Sequence, residues 1–217
     1  MVIGVLAMQG AYKEHINILQ DLDVSPVEIR NKNDLQNIDG IIIPGGESTT
    51  MGKLIRTLDI YDDLKEKIES GMPVWGTCAG MILLAKSICN DDTVHLGTMD
   101  IEVKRNAYGR QLGSFNTKSN VKGIGEDIEM VFIRAPYIEN VDDNVPATFI
   151  RAPVIERILD PIAVKSLYEL PVNGKDVVVA ATQNHNILVT SFHPELTSDY
   201  RVHKYFLKMV EENNKGS

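Results

Sequence analysis

The chain has 217 residues, 43% of them apolar and 24% charged, with a net charge of −8 and a pI near 5.1. That length can bury a sizeable core within one domain, and the composition is ordinary for a globular protein. The acidic balance argues against a general nucleic-acid or anionic-membrane surface. Two cysteines do not suggest a disulfide framework and point to a reducing cytosol. No run approaches the ~20 apolar residues of a bilayer span.

In chain order, Val2 to Met8 is a continuous apolar run, the pattern of a strand covered on both faces. It lacks the basic flank and small-residue cleavage site of a signal peptide. Tyr12 to Leu22 carries Ile16, Leu19 and Leu22 at helical period. Pro26 to Ile29 predicts a short strand, and Gly40 to Pro44 a buried one that ends in Gly45-Gly46. Ser48 then stands where a helix through Met51, Leu54, Ile55 and Leu58 would be capped. Tyr61 to Glu69 predicts a further helix, Pro73 to Trp75 the end of a strand, and Met81 to Lys86 the opening of a helix.

This alternation predicts a mostly parallel sheet with helices on both faces. In the second half, Met99–Val103, Met130–Arg134, Val177–Ala181 and Ile187–Phe192 read as strands with little helix between them, so several are expected to be antiparallel additions. Tyr200 to Val210 predicts a closing helix and Glu211 to Ser217 a polar tail. The expected fold is therefore a three-layer α/β domain over residues 1–212, with residues 213–217 frayed. One irregularity is an echo: Phe132-Ile-Arg-Ala-Pro136 recurs as Phe149-Ile-Arg-Ala-Pro153, which suggests a local duplication or insertion over residues 137–153.

Gly76-Thr-Cys-Ala-Gly80 lies between the predicted strand and helix, and it is the thiol counterpart of the G-x-S-x-G nucleophile elbow. A helix N-terminus behind Cys78 favours a thiolate and offers free N–H groups to an anion. A buried free cysteine in a Gly-rich turn is also an ordinary packing residue, so a partner base is required. His193 is the candidate, because Pro194 follows it and Glu195 lies two residues on. In an extended segment that spacing sets imidazole and carboxylate side by side. His15, His95, His185 and His203 read as surface or packing residues.

Pro44-Gly45-Gly46-Glu47-Ser48-Thr49 is the third piece. A Gly-Gly turn before a helix can aim an N–H at the end of a neighbouring strand. A phosphate loop does not fit, since the spacing from Gly46 to Gly52-Lys53 is wrong and Leu54 replaces the required Ser or Thr. No C-x-x-C or H-E-x-x-H pattern suggests a metal, and no cofactor motif is present.

Together, Pro44-Gly-Gly-Glu-Ser-Thr49, Gly76-Thr-Cys-Ala-Gly80 and Phe192-His-Pro-Glu195 resemble the class I, triad-type glutamine amidotransferases. Within that family the match is closer to the glutaminase subunits of pyridoxal 5′-phosphate synthase. It rests on Gly4-Val-Leu-Ala-Met-Gln-Gly10, Lys104-Arg-Asn-Ala-Tyr-Gly-Arg-Gln111, Phe132-Ile-Arg-Ala-Pro136, His193-Pro-Glu-Leu-Thr197 and Tyr205-Phe-Leu207. The resemblance implies a cytoplasmic enzyme that hydrolyses L-glutamine and hands ammonia to a synthase subunit for vitamin B6 synthesis. It implies Cys78 as nucleophile, His193 as acid and base, and Glu195 as its orienter. It also matches Gly46, Glu47 and Ser48 to the glutamine-binding loop, Arg105 to the arginine after a central strand, and Ile133-Arg134 to a second binding pair. The echo leaves Arg151 as an alternative to Arg134. The Gly46 and Ala79 N–H groups are the candidate oxyanion donors, and the Gln9-Gly10 turn is a candidate contact with the synthase. Three other readings remain at this point: a glutaminase of imidazole glycerol phosphate or GMP synthesis, a DJ-1-type cysteine hydrolase, and a non-catalytic regulatory module.

Overall fold

The computed structural model describes residues 1–105, 114–133, 152–172 and 175–216. The first half alternates as its periodicity predicts. Strand β1 (Val2–Leu6) leads to helix α1 (Tyr12–Asp21), β2 (Ser25–Ile29), β3 (Gly40–Ile43), α2 (Ser48–Thr57), α3 (Tyr61–Glu69), β4 (Val74–Thr77) and α4 (Ala79–Leu84). The second half contains β5 (Ala85–Ile88), β6 (Met99–Lys104), β7 (Phe115–Val121), β8 (Gly125–Phe132), β9 (Val154–Ile158), β10 (Val164–Val172), β11 (Lys175–Gln183), β12 (Ile187–Thr190) and α5 (Arg201–Gly216).

Among the described residues, the main sheet runs β2-β1-β3-β4-β12-β11-β9-β6-β5, with β10 paired to β11, while β7 and β8 form a separate hairpin. The strands from β2 through β12 are parallel. Those joining β12 to β11, β11 to β9 and β9 to β6 are antiparallel, and β6 and β5 return to parallel. The expected mixed sheet is thus observed, with antiparallel strands grafted onto one flank of a parallel half.

Alternation along the central strands builds two cores. Ile41, Ile43, Val74, Ile187 and Val189 face one side with Met51 and Ile55 of α2, Leu64 and Ile68 of α3, and Met81 of α4. Ile42, Trp75 and Leu188 face the other side with Leu19 of α1 and Val202, Phe206 and Val210 of α5. The sheet is therefore covered on both faces, which is why its parallel strands read as unbroken apolar runs.

Three expectations are corrected. The helix predicted from Met81 to Lys86 starts at Ala79 and stops at Leu84, and Ala85–Ile88 pairs as β5 with β6. Strands β7, β9 and β10 were not predicted. The closing helix predicted to end at Val210 continues as α5 to Gly216. Asn213 there donates to the Gly71 carbonyl at 2.7 Å and Asn214 to Asp39 at 3.3 Å, so these polar side chains tie the last turn to the body. Of the echo, only Ala152 and Pro153 fall within the described residues of 137–153.

Candidate active site

In open α/β sheets, sites form at the carboxyl ends of the strands, and here three neighbouring strands deliver the three motifs. Strands β3, β4 and β12 lie side by side and parallel. The register sets Ile43 opposite Gly76 and Thr77 opposite Thr190. The turn after β3, the elbow after β4 and the segment after β12 therefore emerge along one edge.

Cys78 caps α4 with φ 48° and ψ −101°, a left-handed conformation that a non-glycine residue adopts only when its surroundings enforce it. Its N–H donates to the Thr190 carbonyl at 2.7 Å, and its own carbonyl accepts from Met81 at 3.1 Å. The flanking glycines answer a need for space. A Cβ on Gly80 would overlap the Ile43 carbonyl, and one on Gly76 would stand 2.6 Å from the Gly80 carbonyl carbon. Gly80→Ala is accordingly expected to cost on the order of 1–3 kcal/mol. For a domain of this size that lowers the melting temperature by several degrees. A thermal melt unchanged from the parent would refute the close contact.

His193 and Glu195 are both 5% exposed, and Cys78 is 2% exposed. The His193 Nδ1 lies 2.6 Å from Glu195 Oε1. The pair meets as predicted but by a different route. His193 is the cap of a 3₁₀ turn, Pro194–Leu196, rather than part of a continuing strand, and its N–H is held by the Val131 carbonyl of β8 at 2.8 Å. Burial opposes a charge on the ring. Hydrogen bonds to Cys78 and Glu195, and the negative charge of both, override that and raise the His193 pKa to about 10. An imidazole hydrogen-bonded to a cysteine sulfur on one side and a carboxylate on the other is an arrangement that suits proton transfer at the sulfur.

The Gly-Gly turn packs directly on this ring, since a Cβ on Gly45 would overlap His193 Cε1. The next residues are fixed by two carboxamide or carboxylate groups. Gln9 Oε1 accepts the Glu47 N–H at 2.8 Å, and the Glu47 carboxylate accepts from Thr49 at 2.9 Å and Thr50 at 2.6 Å. The cap of α2 is therefore Glu47, not Ser48, which is buried in the first turn. Burial works against the Glu47 charge, but the bonds from Thr50 and Thr49 outweigh it and hold the carboxyl below its usual range. Glu47→Ala should lower stability by about 1 kcal/mol, the usual loss for a cap, and a rise in KM would follow from the substrate-binding role that the sequence resemblance implies for this turn. Urea unfolding and steady-state kinetics would measure both. Among the described residues, neither the Gly46 nor the Ala79 N–H has an acceptor, which leaves both free for an anion.

The other predicted binders separate. Ile133 follows β8 directly, close to the carbonyl that holds His193. Arg134 and Arg151 lie outside the described residues. Arg105 follows β6, which is one strand from the sheet edge rather than central. Arg105 meets Asp91 at 3.3 Å and His95 at 3.5 Å, and the His95 ring stands against Gly52 of α2. Arg105 Nε is buried without a partner among the described residues, a donor available to a ligand.

Two histidines read from the sequence as surface or packing residues belong beside this site. His15 and His203 are fully buried. Both carried a usable signal. His15 shares a stripe with Ile18, Leu19 and Leu22, and His203 shares one with Phe206, Leu207 and Val210, so each occupies the apolar face of its helix.

Comparison with known proteins places this geometry in context. A model of the SNO glutamine amidotransferase family matches residues 5–144 and 138–212. The chain is 49% identical over 213 residues to the pyridoxal 5′-phosphate synthase subunit PdxT of Clostridium botulinum (strain Loch Maree / Type A3), covering 97% of this chain and 98% of that one. It is 47% identical over 218 residues to PdxT of Streptococcus pneumoniae serotype 2 (strain D39 / NCTC 7466), covering 99% and 100%. Among solved structures it superposes on a glutamine amidotransferase with a TM-score of 0.81 at 39% identity, covering 97% of this chain and 100% of that one. The structure of PurLQS from Thermotoga maritima shares the fold, with a TM-score of 0.59 at 16% identity over 99% of this chain and 97% of that one.

Proposed function

Because the chain belongs to the SNO glutamine amidotransferase family, we propose that Cys78, His193 and Glu195 hydrolyse the side-chain amide of L-glutamine and that the ammonia passes to a pyridoxal 5′-phosphate synthase subunit. The Cys78 thiolate attacks the amide carbon, and the oxyanion is held by the N–H groups of Gly46 and Ala79. The tetrahedral adduct collapses as the carbon–nitrogen bond breaks, and His193 gives its proton to the departing ammonia. A water then loses a proton to His193 and attacks the thioester. Collapse of the second adduct releases glutamate and restores the thiolate and imidazolium. Each oxyanion donor contributes on the order of 10²–10³ in rate.

The observation that supports these roles best is the 2.6 Å bond from His193 to Glu195 behind a cysteine held at positive φ. The Gly46–Ser48 turn, Ile133 and one of Arg134 or Arg151 would bind the amino-acid end of glutamine. Arg105 would do so with the planar fork that suits a carboxylate. Gln9 gives the synthase a direct route to the oxyanion turn, because it touches the Glu47 backbone. Docking on the Gln9-Gly10 turn would thus set the donor at Gly46 and make hydrolysis dependent on the partner.

The chain works as one glutaminase domain, and the two overlapping family matches, 5–144 and 138–212, favour a local duplication between them. Among the described residues no helix is long and apolar enough to cross a membrane. Free thiols at Cys78 and Cys89 suit a reducing cytoplasm. The decisive assay measures ammonia release from glutamine with and without the synthase. Release that is absent in both arms would refute the function, and release that is equal in both would refute partner control.

A further inference from the structure

Behind Glu195 the buried polar groups continue. Its Oε1 is committed to His193, while Oε2 has no hydrogen-bond partner among the described residues and points to His15 Nε2, equally unpartnered, at 3.5 Å. His15 Nδ1 in turn lies 2.9 Å from His203 Nε2. Trp75 closes the group, with its ring 5.3 Å from His15 and 4.8 Å from His203, each edge to face. Helices α1 and α5 thus each spend a core position on an imidazole where an aliphatic side chain would pack.

Burial first, then the repulsion that a proton on His203 or His193 would exert, holds His15 well below its ordinary value, and burial pulls His203 down to about 3, so neutral rings are favoured at both positions near neutral pH. A neutral imidazole has one N–H, so the chain admits two arrangements. With both protons on Nε2, His203 donates to His15 Nδ1, His15 donates toward Glu195 Oε2, and the only idle atom is the lone pair on His203 Nδ1. With both on Nδ1, the His15 lone pair faces the carboxylate and a buried N–H on His203 goes unpaired. The first arrangement costs less, because an unmet buried donor and a lone-pair clash are both avoided.

Granted the triad roles given above, we infer that His15, oriented by His203, is a positioning residue that holds the second oxygen of Glu195 and so keeps its first oxygen on His193. Among the described residues, the titratable groups facing Glu195 are His193 from its own segment and His15 from α1, with His203 of α5 in line behind. At 3.5 Å the contact is longer than a formed hydrogen bond, so the hold on Oε2 is the attraction of the His15 N–H dipole for the carboxylate at close range. Without His15, nothing would oppose rotation of the Glu195 carboxylate away from His193, and His193 would lose part of its counter-charge.

The test follows the pH dependence of iodoacetamide alkylation at Cys78, read peptide by peptide by mass spectrometry on the full chain in complex with its synthase. The half-buried Cys89 serves as the internal control. In His15→Leu the rise in Cys78 reactivity should move up by about one pH unit, roughly a tenfold loss of rate below the transition. His15→Gln, which keeps a side-chain donor, should recover most of it, and Cys89 should react as before. If His15→Leu does not fold, His203→Leu should move the profile in the same direction by less. Cys78 profiles in His15→Leu and His203→Leu that superpose on the parent would overturn the role of His15 alone. A parental Cys78 no more reactive than Cys89 at pH 6 would instead overturn the triad itself.

Discussion

Cys78→Ala is expected to reduce glutamine hydrolysis by a factor on the order of 10⁴ or more, since removing the nucleophile of a triad leaves only binding and oxyanion stabilisation. Synthesis of pyridoxal 5′-phosphate by the complex should persist when ammonium salt replaces glutamine, because the substitution touches the donor reaction and not the acceptor. Ammonia release and cofactor formation, assayed in parallel, distinguish this from a general loss of assembly. Retained glutaminase in the variant would eliminate the thioester route. A companion substitution separates chemistry from strain. Position 78 sits at φ 48°, which penalises any side chain. Cys78→Gly should therefore be as inactive as Cys78→Ala yet melt at a higher temperature, because relief of strain on the order of 1–3 kcal/mol outweighs the ~0.4–1 kcal/mol that glycine adds to the freedom of the unfolded chain.

Glu195→Gln should give the second largest loss, on the order of 10²–10⁴ in kcat, by analogy with amide replacement of a triad carboxylate. The cause is electrostatic and directional. The amide cannot balance an imidazolium, and it can turn its NH₂ toward His193 Nδ1, where a donor already points. The pH behaviour follows in sign. His193 has its folded pKa raised from 6.5 to about 10, so its protonation stabilises the folded state fully below pH 6.5. That contribution disappears as pH rises through about 10. In Glu195→Gln the raised value should fall, so the loss, which starts above pH 6.5 in both proteins, should be smaller and complete at a lower pH. Urea midpoints measured from pH 6 to pH 10 would record it. Parallel stability curves for parent and variant would exclude the ion pair as the source of the shift.

The elements that sequence periodicity located best are those buried on both faces. Gly40–Ile43 and Ile187–Thr190 are unbroken apolar runs because helices cover both sides of the parallel half. Strand β7, Phe-Asn-Thr-Lys-Ser-Asn-Val, escaped notice because only alternate residues are shielded and, among the described residues, its partner β8 joins no strand of the main sheet. Strand β5 was absorbed into a predicted helix, since Ala85 and Ile88 fit either period and only the pairing with β6 decides. The proposed trio of Cys78, His193 and Glu195 could be picked out as a candidate because each member lies in a motif with its own local geometry. The capping role of Glu47 was hidden by Ser48, the more usual capping residue type. The histidines behind the triad were discounted for their polarity, although their helical spacing had already placed them inward.

The strands that intervene in the sequence between the elbow and the base have a consequence for how this enzyme tolerates change. In the sheet they all lie beyond β12, and the β7–β8 hairpin stands apart, so none separates β4 from β12. Among the described residues, the polypeptide leaves the thiol, adds its intervening strands of the main sheet on one flank, and returns next to its point of departure. Growth or copying of segments within that excursion lengthens the journey without altering where it starts and ends, so the spacing of sulfur and imidazole is insulated from it.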